Sequence, residues 1–414
     1  MEMITNISRD ATGCEAKDPE DEPDREDCSL KFDGEHVLQD MMDVVCEHLK
    51  VYDLCQVAQV CRSWNKEARR EISKRVELKY GVLPHLFSYE MLSASFHISK
   101  TLDIMPYLTL LFPGTNHLIS DVRDEDDVHL EQKTFEVYGK QLPHSLLVVG
   151  VSEAVLNRDL IHSCPTCSRS NAVSREYQPS GTLSLFLPLS ERLKFKMSCM
   201  FESEFYEDNS LSHLSNMMNT LLPNCLSTKS ALLIFVYSRT DCIGTSDMIA
   251  IQDSIKSRFR TDLSSLWGLT TQYKIFARQN GDEVQEDISR KIAKIVGISL
   301  TGLNFESWSA VINITESYKI ELERKLKNLR NQITLRKYTV GLITAPVCTQ
   351  DEYGSSDFDN QDLIYEVKEL LPDIDFIGTY GDENNIYFGV HRLDNGSIGF
   401  MNKKIISIMI LTHD

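Results

Sequence analysis

The sequence predicts an α+β protein in which a short unit of three helices precedes a larger body of mixed sheets and helices. Two observations predict this arrangement. Between residues 37 and 72, apolar residues recur at the three- and four-residue spacing of amphipathic helices. Farther along the chain, apolar runs of strand length alternate irregularly with further helical patterns, which favours mixed sheets packed against helices.

The composition is ordinary for a soluble globular protein, but the charge is strongly acidic. With 414 residues, of which 42% are apolar and 25% charged, the chain has room for roughly two or three domains. The net charge of −18 disfavours general attraction to nucleic acids or anionic membranes. No apolar run approaches the roughly 20 residues of a membrane-spanning helix, and no secretory signal is visible. We therefore expect neither a nucleic acid nor a membrane as partner.

The N-terminal segment carries a disproportionate share of the acidity. Residues 1–36 hold twelve Asp or Glu residues against four Lys or Arg, a net charge of −8. A segment with so few apolar residues cannot offset the loss of chain entropy on folding, so residues 1–34 are predicted to form a disordered tail. Its composition is consistent with a solubilising tail and with one that regulates the protein or docks on a partner.

The cysteines indicate reduced thiols rather than a disulfide framework. They number eleven and are scattered, which favours the cytoplasm and nucleus. The stretch "HSCPTC" places His162, Cys164 and Cys167 at a spacing found in zinc sites. Because zinc needs a fourth ligand and no second such pair exists, no metal is predicted. Catalytic and nucleotide-binding motifs are also missing, so neither an enzyme nor a cofactor is predicted.

The first predicted helix, over residues 37–49, has a very wide apolar face. That face contains Met41, Met42, Val44, Val45, Cys46 and Leu49. Three short helices cannot bury such a face among themselves, because a unit of roughly forty residues is near the lower limit for independent folding. Part of the face must therefore pack either on the rest of the chain, the usual outcome, or on another protein.

Two more helices follow in the same unit. Asp53 is positioned to cap the second helix, and Gln56 three residues later resembles the second half of a capping box. Trp64, Ala68 and Ile72 line the third helix at four-residue spacing. The unit is therefore predicted to end shortly after residue 72.

Residue identity then points to a family. Residues 37–64 resemble an F-box, whose pattern ends in Asp-Leu, five residues, and Val-Cys-Arg-x-Trp, as in "DLCQVAQVCRSW" (53–64). The chain departs from the pattern at Leu38, where the family usually has proline. Matching positions are Val37, Asp40, Met41, Met42, Val45, Cys46, Leu49, Asp53, Leu54, Val60, Cys61, Arg62 and Trp64.

The F-box resemblance implies a protein partner. In that family the motif binds the Skp adaptor, which links it to the cullin scaffold and the RING subunit of a ubiquitin ligase. Apolar helix faces of this kind become the core of an interface between subunits. The implied adaptor-binding residues are Leu38, Met41, Met42, Val45, Leu49, Leu54, Cys61 and Trp64.

The body beyond the F-box-like unit shows no propeller or leucine-rich period. Candidate strands are 146–151, 183–187, 195–200, 232–237, 296–300, 309–314, 339–344, 375–378, 386–390 and 405–411. Candidate helices are 129–141, 211–222, 246–260, 316–331 and 360–371. In the fourth of these helices, Leu322, Leu326, Leu329 and Ile333 form an apolar stripe, whereas Arg324, Lys325, Lys327 and Arg330 are predicted to face solvent.

The order of these elements resembles the FIST module, and the whole chain resembles the F-box only protein twenty-two family, which joins an F-box to FIST N- and C-terminal parts. The quoted matches are "SALLIFVYS" (230–238), "KIVGISLTG" (294–302), "YTVGLITAPVC" (338–348), "LPDIDFIGTYGDE" (371–383) and "IISIMILTH" (405–413). The implied domains are the F-box (35–79) and FIST-like parts at 80–230 and 231–414. A glycine-rich turn of the FIST family is replaced here by "PVCTQ" (346–350), which argues against a retained small-molecule pocket.

The resemblance implies a substrate-recognition subunit of a Skp–cullin–F-box ubiquitin ligase, which recruits proteins for ubiquitination and proteasomal degradation. The alternative is a FIST-type ligand-binding or scaffolding protein whose F-box does not direct degradation. Within the body, the loop "CTQDEYGSSDFDNQ" (348–361) is the candidate substrate site, because it is long and holds Tyr353 and Phe358 among acidic residues. A surface insertion without a partner fits this loop equally well.

Overall fold

The computed structural model places both helices and mixed sheets in one α+β fold, as the sequence predicts. It describes residues 34–83, 102–114, 130–140, 142, 145–151, 153–156, 182–188, 193–205, 210–221, 230–238, 253, 264–279, 291–314, 318–346, 360–381, 387–389 and 405–414. The fold and its contacts are given below for these residues.

The helices fall into an N-terminal group and a group that covers the sheets. They are α1 (Gly34–His48), α2 (Val51–Val57), α3 (Arg62–Lys74), α4 (Leu130–Gly139), α5 (Glu202–Phe205), α6 (Ser210–Leu221), α7 (Tyr318–Arg330) and α8 (Asn360–Leu370). The strands are β1 (Lys79–Leu83), β2 (Pro106–Pro113), β3 (Ser145–Val149), β4 (Glu153–Leu156), β5 (Thr182–Pro188), β6 (Leu193–Phe201), β7 (Ser230–Tyr237), β8 (Ser264–Thr271), β9 (Ile275–Arg278), β10 (Ile292–Gly302), β11 (Glu306–Asn313), β12 (Tyr338–Pro346), β13 (Asp375–Gly381), β14 (Tyr387–Gly389) and β15 (Ile405–His413).

The strands form two mixed sheets. The ten-stranded sheet has the order β1-β5-β2-β3-β9-β10-β7-β8-β14, and β6 also pairs with the long strand β10. Its pairs β2–β3 and β7–β8 are parallel, and the other pairs are antiparallel. The five-stranded sheet has the order β11-β15-β12-β13-β4, with β12–β13 parallel.

Both sheets combine strands from either side of the domain boundary predicted at residues 230 and 231. In the ten-stranded sheet β6 pairs with β10, and in the five-stranded sheet β4 pairs with β13. The boundary that the FIST resemblance implies therefore does not separate the two sheets, because each sheet contains strands from both sides of it. Strand pairing joins residues that are far apart in the sequence.

The two sheets share the largest apolar core. Its members include Leu342 and Met409 from the five-stranded sheet, and Phe112, Phe235 and Trp267 from the ten-stranded sheet. The Trp267 ring lies edge-to-face with Phe235 and Phe112, at centroid distances of 5.8 and 6.4 Å, an arrangement that aromatic rings favour. The opposite face of the five-stranded sheet is covered by α7 and α8.

The double coverage of the five-stranded sheet explains the apolar run of β15, which only Ser407 interrupts between residues 405 and 411. In β15, Met409 and Leu411 belong to the core between the sheets, whereas Ile408 and Ile410 belong to the core under α7 and α8. Successive side chains of a strand point to opposite faces, so a strand buried on both faces has a nearly continuous apolar sequence.

The predicted elements of the body are largely confirmed. Each of the ten candidate strands coincides with an observed strand, and the candidate helices at 129–141, 211–222, 316–331 and 360–371 coincide with α4, α6, α7 and α8. Of the candidate helix 246–260, the structure describes one residue, Asp253, which is helical. The strands β1, β2, β4, β8 and β9 were not among the predicted elements.

Two local predictions are wrong. Asp53 does not cap α2: Lys50 is the N-cap residue and makes no capping side-chain bond, while Asp53 lies in the first turn, where its charge favours the helix dipole. Lys325 does not face solvent but is buried: its Nζ donates to Val311 O at 2.6 Å and lies 2.7 Å from Glu321 Oε1. Its long apolar stem allows the ammonium group to reach across α7 to β11.

Candidate functional site

The three N-terminal helices form a small unit with its own apolar core. Cys46 of α1, Leu54 of α2 and Ala68 of α3 are its fully buried members. Leu49, Ala58, Trp64 and Ile72 are partly buried around them. This core is far smaller than the core between the sheets, so polar contacts matter more for the stability of the unit.

Arg75, just beyond α3, closes the unit with its guanidinium group. Its Nη2 donates to Cys46 O at 3.0 Å and Nη1 donates to Leu49 O at 2.7 Å. Cys46 lies in the last turn of α1 and Leu49 directly follows that helix, and carbonyls at a helix end lack the N–H partners that interior carbonyls find four residues further on. Nε of Arg75 also donates to the buried Glu71 at 3.1 Å. One partly buried cation thus joins the end of α1 to α3.

The same arginine helps to fix the unit to the body. Its Nη1 donates to Asp103 O at 3.3 Å, and the side chain of Asp103 forms an ion pair with Lys50, at the start of α2. Asp103 lies just before β2. The helical unit is therefore held beside the ten-stranded sheet by polar contacts as well as by the chain that continues into β1.

The α1 helix has two sets of apolar side chains, one buried and one exposed. Met42 and Cys46 lie four residues apart on one side of α1 and are buried, and Cys46 packs with Leu54 of α2 and Ala68 of α3. Met41, Val44 and Val45 lie on the other side and are 60%, 57% and 42% exposed. We call these three residues the α1 apolar stripe. Adjacent large apolar side chains left in water mark a surface that binds another protein more often than chance exposure does.

A further apolar residue is exposed at the turn between α2 and α3. Val60 is 70% exposed, and the next residue, Cys61, is also exposed. Both belong to the predicted motif, but Val60 was not among the predicted adaptor-binding residues. Val44 was missed in the same way: its position in the wide face of the first helix was visible in the sequence, whereas its outward direction was not.

The predicted adaptor-binding residues fall into three groups. Met41, Val45 and Cys61 are exposed and free to contact a partner, and Leu49 and Trp64 are partly buried. Met42 and Leu54 are buried, at 3% and 0% exposure, and Leu54 belongs to the core of the unit. Neither residue has surface to offer in this arrangement. Leu38 lies in α1, but its side chain is outside the described residues.

The other predicted sites lie outside the described residues. These are the candidate substrate residues Tyr353 and Phe358, and the cysteine cluster of His162, Cys164 and Cys167. Within the part of the chain that the structure describes, no group of three or more His, Cys, Asp or Glu residues is arranged to hold a metal ion. Among the described helices, none has the length and apolar character needed to cross a bilayer.

A polar cleft lies where β1 meets the beginnings of β12 and β13. It has a volume of about 300 Å³ and is lined by Tyr80, Arg336 and Asp375, among others. Tyr80 Oη donates to Asp375 Oδ2 at 2.7 Å, and burial together with this carboxylate raises the pKa of Tyr80. Arg336 is paired with Glu306 and Asp414, at 2.8 and 2.9 Å. Because these charged groups are paired within the protein, they serve to join strands rather than to offer a charge to a ligand.

Neither the known protein families nor the curated protein sequences match this chain. The F-box and FIST resemblances therefore stay predictions that rest on the quoted residues. The α1 apolar stripe, by contrast, is a feature of the folded chain itself.

Proposed function

We propose that this chain is the substrate-recognition subunit of a Skp–cullin–F-box ubiquitin ligase. In this proposal the three-helix unit binds the Skp adaptor, and the α/β body presents the protein that is to be ubiquitinated. The chain itself carries out no chemistry. Its role is to hold a substrate at a fixed position relative to the cullin and RING subunits.

The observation that supports the proposal is the exposure of the α1 apolar stripe. The resemblance of residues 37–64 to an F-box depends on residue identity, and the stripe adds an independent physical reason for a partner. Met41, Val44 and Val45 form a continuous outward line on α1. Burying such side chains against another protein contributes about 25 cal/mol per Å² of apolar surface removed from water.

The polar contacts of the unit are consistent with this role. Arg75 and Lys50 connect the three helices to Asp103 at the sheet. A substrate-recruiting subunit needs a defined spacing between the adaptor and the substrate, because the ubiquitin-loaded enzyme acts at a fixed place in the complex. A rigid connection between the helical unit and the body would supply that spacing.

The test is co-purification of the full chain with the Skp adaptor and cullin. The double variant Met41→Asp, Val45→Asp should lose the adaptor, since two charges cannot be buried in an apolar interface without partners. The matched control is Leu303→Asp, Ile320→Asp, which changes two apolar residues of the body that are 76% and 71% exposed. Loss of the adaptor in the first variant and not in the second supports the proposal.

The same experiment separates the two functions that the sequence leaves open. Adaptor and cullin recovered together indicate a ligase subunit. Adaptor recovered without cullin favours a FIST-type scaffolding protein whose F-box does not direct degradation. Failure of the wild-type chain to recover the adaptor would contradict both the F-box resemblance and the proposal.

A further inference from the structure

The third helix of the N-terminal unit has a strongly basic outer face. α3 carries five Lys or Arg residues against two Glu residues, and both glutamates, Glu67 and Glu71, are buried. Arg62, Lys66 and Arg69 follow one another at spacings of four and three residues and are all exposed. Residues at these spacings lie on one side of a helix. We call these three residues the α3 basic stripe.

The cations beside the stripe are paired, whereas the stripe is not. Arg70 lies 3.2 Å from Asp43 of α1 and 3.3 Å from Glu67, and Lys74 lies 3.0 Å from Glu71. The side chains of Arg62, Lys66 and Arg69 form no hydrogen bond or ion pair with the residues that the structure describes. The stripe is thus a row of uncompensated positive charge on a protein whose net charge is −18.

The N-terminal tail has the opposite charge and is connected to the same unit. Residues 15–27, "EAKDPEDEPDRED", contain eight acidic and two basic residues. Asp27 is seven residues before Gly34, the first residue of α1, and an extended chain of that length spans up to about 24 Å. α1 is itself about 22 Å long and packs against α3. The acidic segment can therefore reach α3 without any movement of the helices.

We propose that residues 15–27 dock on the α3 basic stripe of the same chain. The tether keeps the acidic segment at a high effective concentration near the helix, so weak contacts suffice to populate the docked state. The interaction is electrostatic and lies on the surface, which makes it sensitive to salt: the screening length falls from about 10 Å at 0.1 M to about 3 Å at 1 M. This proposal does not depend on the proposed ligase function.

Zero-length crosslinking with a carbodiimide tests the contact in the full chain. The reagent joins a carboxylate to a lysine amine that touches it, and Lys66 supplies that amine within the stripe. We expect mass spectrometry to find Lys66 joined to Asp or Glu residues of 15–27 at low salt. The yield should fall at least about fivefold in 1 M salt. It should be independent of protein concentration, as an intramolecular contact requires.

Matched variants and a second lysine give the controls. The double variant Arg62→Gln, Arg69→Gln retains Lys66 and should lower its crosslinking to the tail. The variant Arg324→Gln, Arg330→Gln removes two exposed arginines of α7 and should leave it unchanged. Lys327 of α7, which is 62% exposed, reports the background of random encounters with the tail.

Three results would overturn the proposal. The first is crosslinking of Lys66 to residues 15–27 at no more than the level of Lys327. The second is a yield that rises with protein concentration, which would assign the contact to the tail of a second copy. The third is binding of a single-stranded oligonucleotide to the wild-type chain that the variant Arg62→Gln, Arg69→Gln abolishes, together with the absence of crosslinks between Lys66 and the tail. That result would assign the stripe to a nucleic acid.

Discussion

Arg75 and Leu49 are joined by a hydrogen bond of 2.7 Å, from the arginine Nη1 to the leucine carbonyl oxygen. The bond connects the residue after α3 to the residue after α1, 26 positions earlier in the chain. The same guanidinium group also donates to Glu71 of α3 and to the carbonyl oxygen of Asp103 in the body. Several partners of the N-terminal unit therefore converge on one side chain, 13% of which is exposed.

The first prediction follows from that convergence. Arg75→Met keeps the apolar stem but removes every donor, so carbonyls at the end of α1 lose this partner and the buried Glu71 keeps only Lys74. We expect this to destabilise the helical unit by about 1–3 kcal/mol, measured as faster hydrogen exchange of α1 and α3. The control, Arg69→Met, changes an exposed residue of α3 and should stay within about 0.5 kcal/mol. Equal exchange in both variants would contradict the role of Arg75.

The second prediction concerns Glu131, in the first turn of α4. Burial raises the pKa of Glu131 from 4.5 to about 7, so the folded protein keeps the proton at pH values where the unfolded chain has released it. Stability must then fall as the pH rises from about 4.5 to about 7, by about 3 kcal/mol in total. Glu131→Gln, which carries no charge, should remove this loss.

Denaturant unfolding at pH 5 and pH 8 measures the effect. We expect Glu131→Gln to be more stable than the wild type at pH 8, with a smaller difference at pH 5. Glu136→Gln, on the same helix and partly exposed, is the control and should follow the wild type. Two results together would contradict the prediction: the wild type loses no stability between pH 5 and pH 8, and Glu131→Gln is as stable as the wild type at both pH values. They would show that Glu131 is charged in the folded protein.

The third prediction concerns Gly268, in the parallel pair of β7 and β8. A Cβ atom at this position would lie 1.8 Å from the carbonyl oxygen of Ile234, its neighbour in the pair. The obstacle is backbone, so it cannot turn aside as a side chain could. We expect Gly268→Ala to destabilise the protein by about 3 kcal/mol or more, measured by thermal unfolding. Gly81→Ala, in β1, should have little effect, because no atom of the described residues lies within 4 Å of the place that its methyl group would take.

The sequence predicts strands well where burial on both faces makes them mostly apolar. β15 is such a case, and its bounds differ from the prediction by two residues. β8, "SSLWGLTT", was missed because its polar residues Ser265, Thr270 and Thr271 are buried rather than exposed. Thr271 of this strand donates from Oγ1 to Gly150 O at 2.7 Å. A hydroxyl group whose partner lies 121 residues away in the chain gives no local signal.

The candidate surface was predictable in part for a similar reason. The width of the apolar face of α1 indicated that the helix had more apolar surface than its own unit could bury. Which residues face outward depends on how α2 and α3 pack against α1, and the spacing alone does not determine this. Met42 and Val44 have the same apolar character in the sequence, yet one is 3% and the other 57% exposed.

The most direct test of the central claim is a calorimetric titration of purified Skp adaptor into the full chain at several temperatures. The proposal predicts saturable binding with one adaptor per chain and a negative heat-capacity change, because apolar surface is buried. Val44→Asp, which alters the middle of the α1 apolar stripe, should weaken the affinity at least about tenfold, equal to about 1.4 kcal/mol. No saturable binding by the wild type, or an affinity that Val44→Asp leaves unchanged, would contradict the claim that this stripe is the adaptor-binding surface.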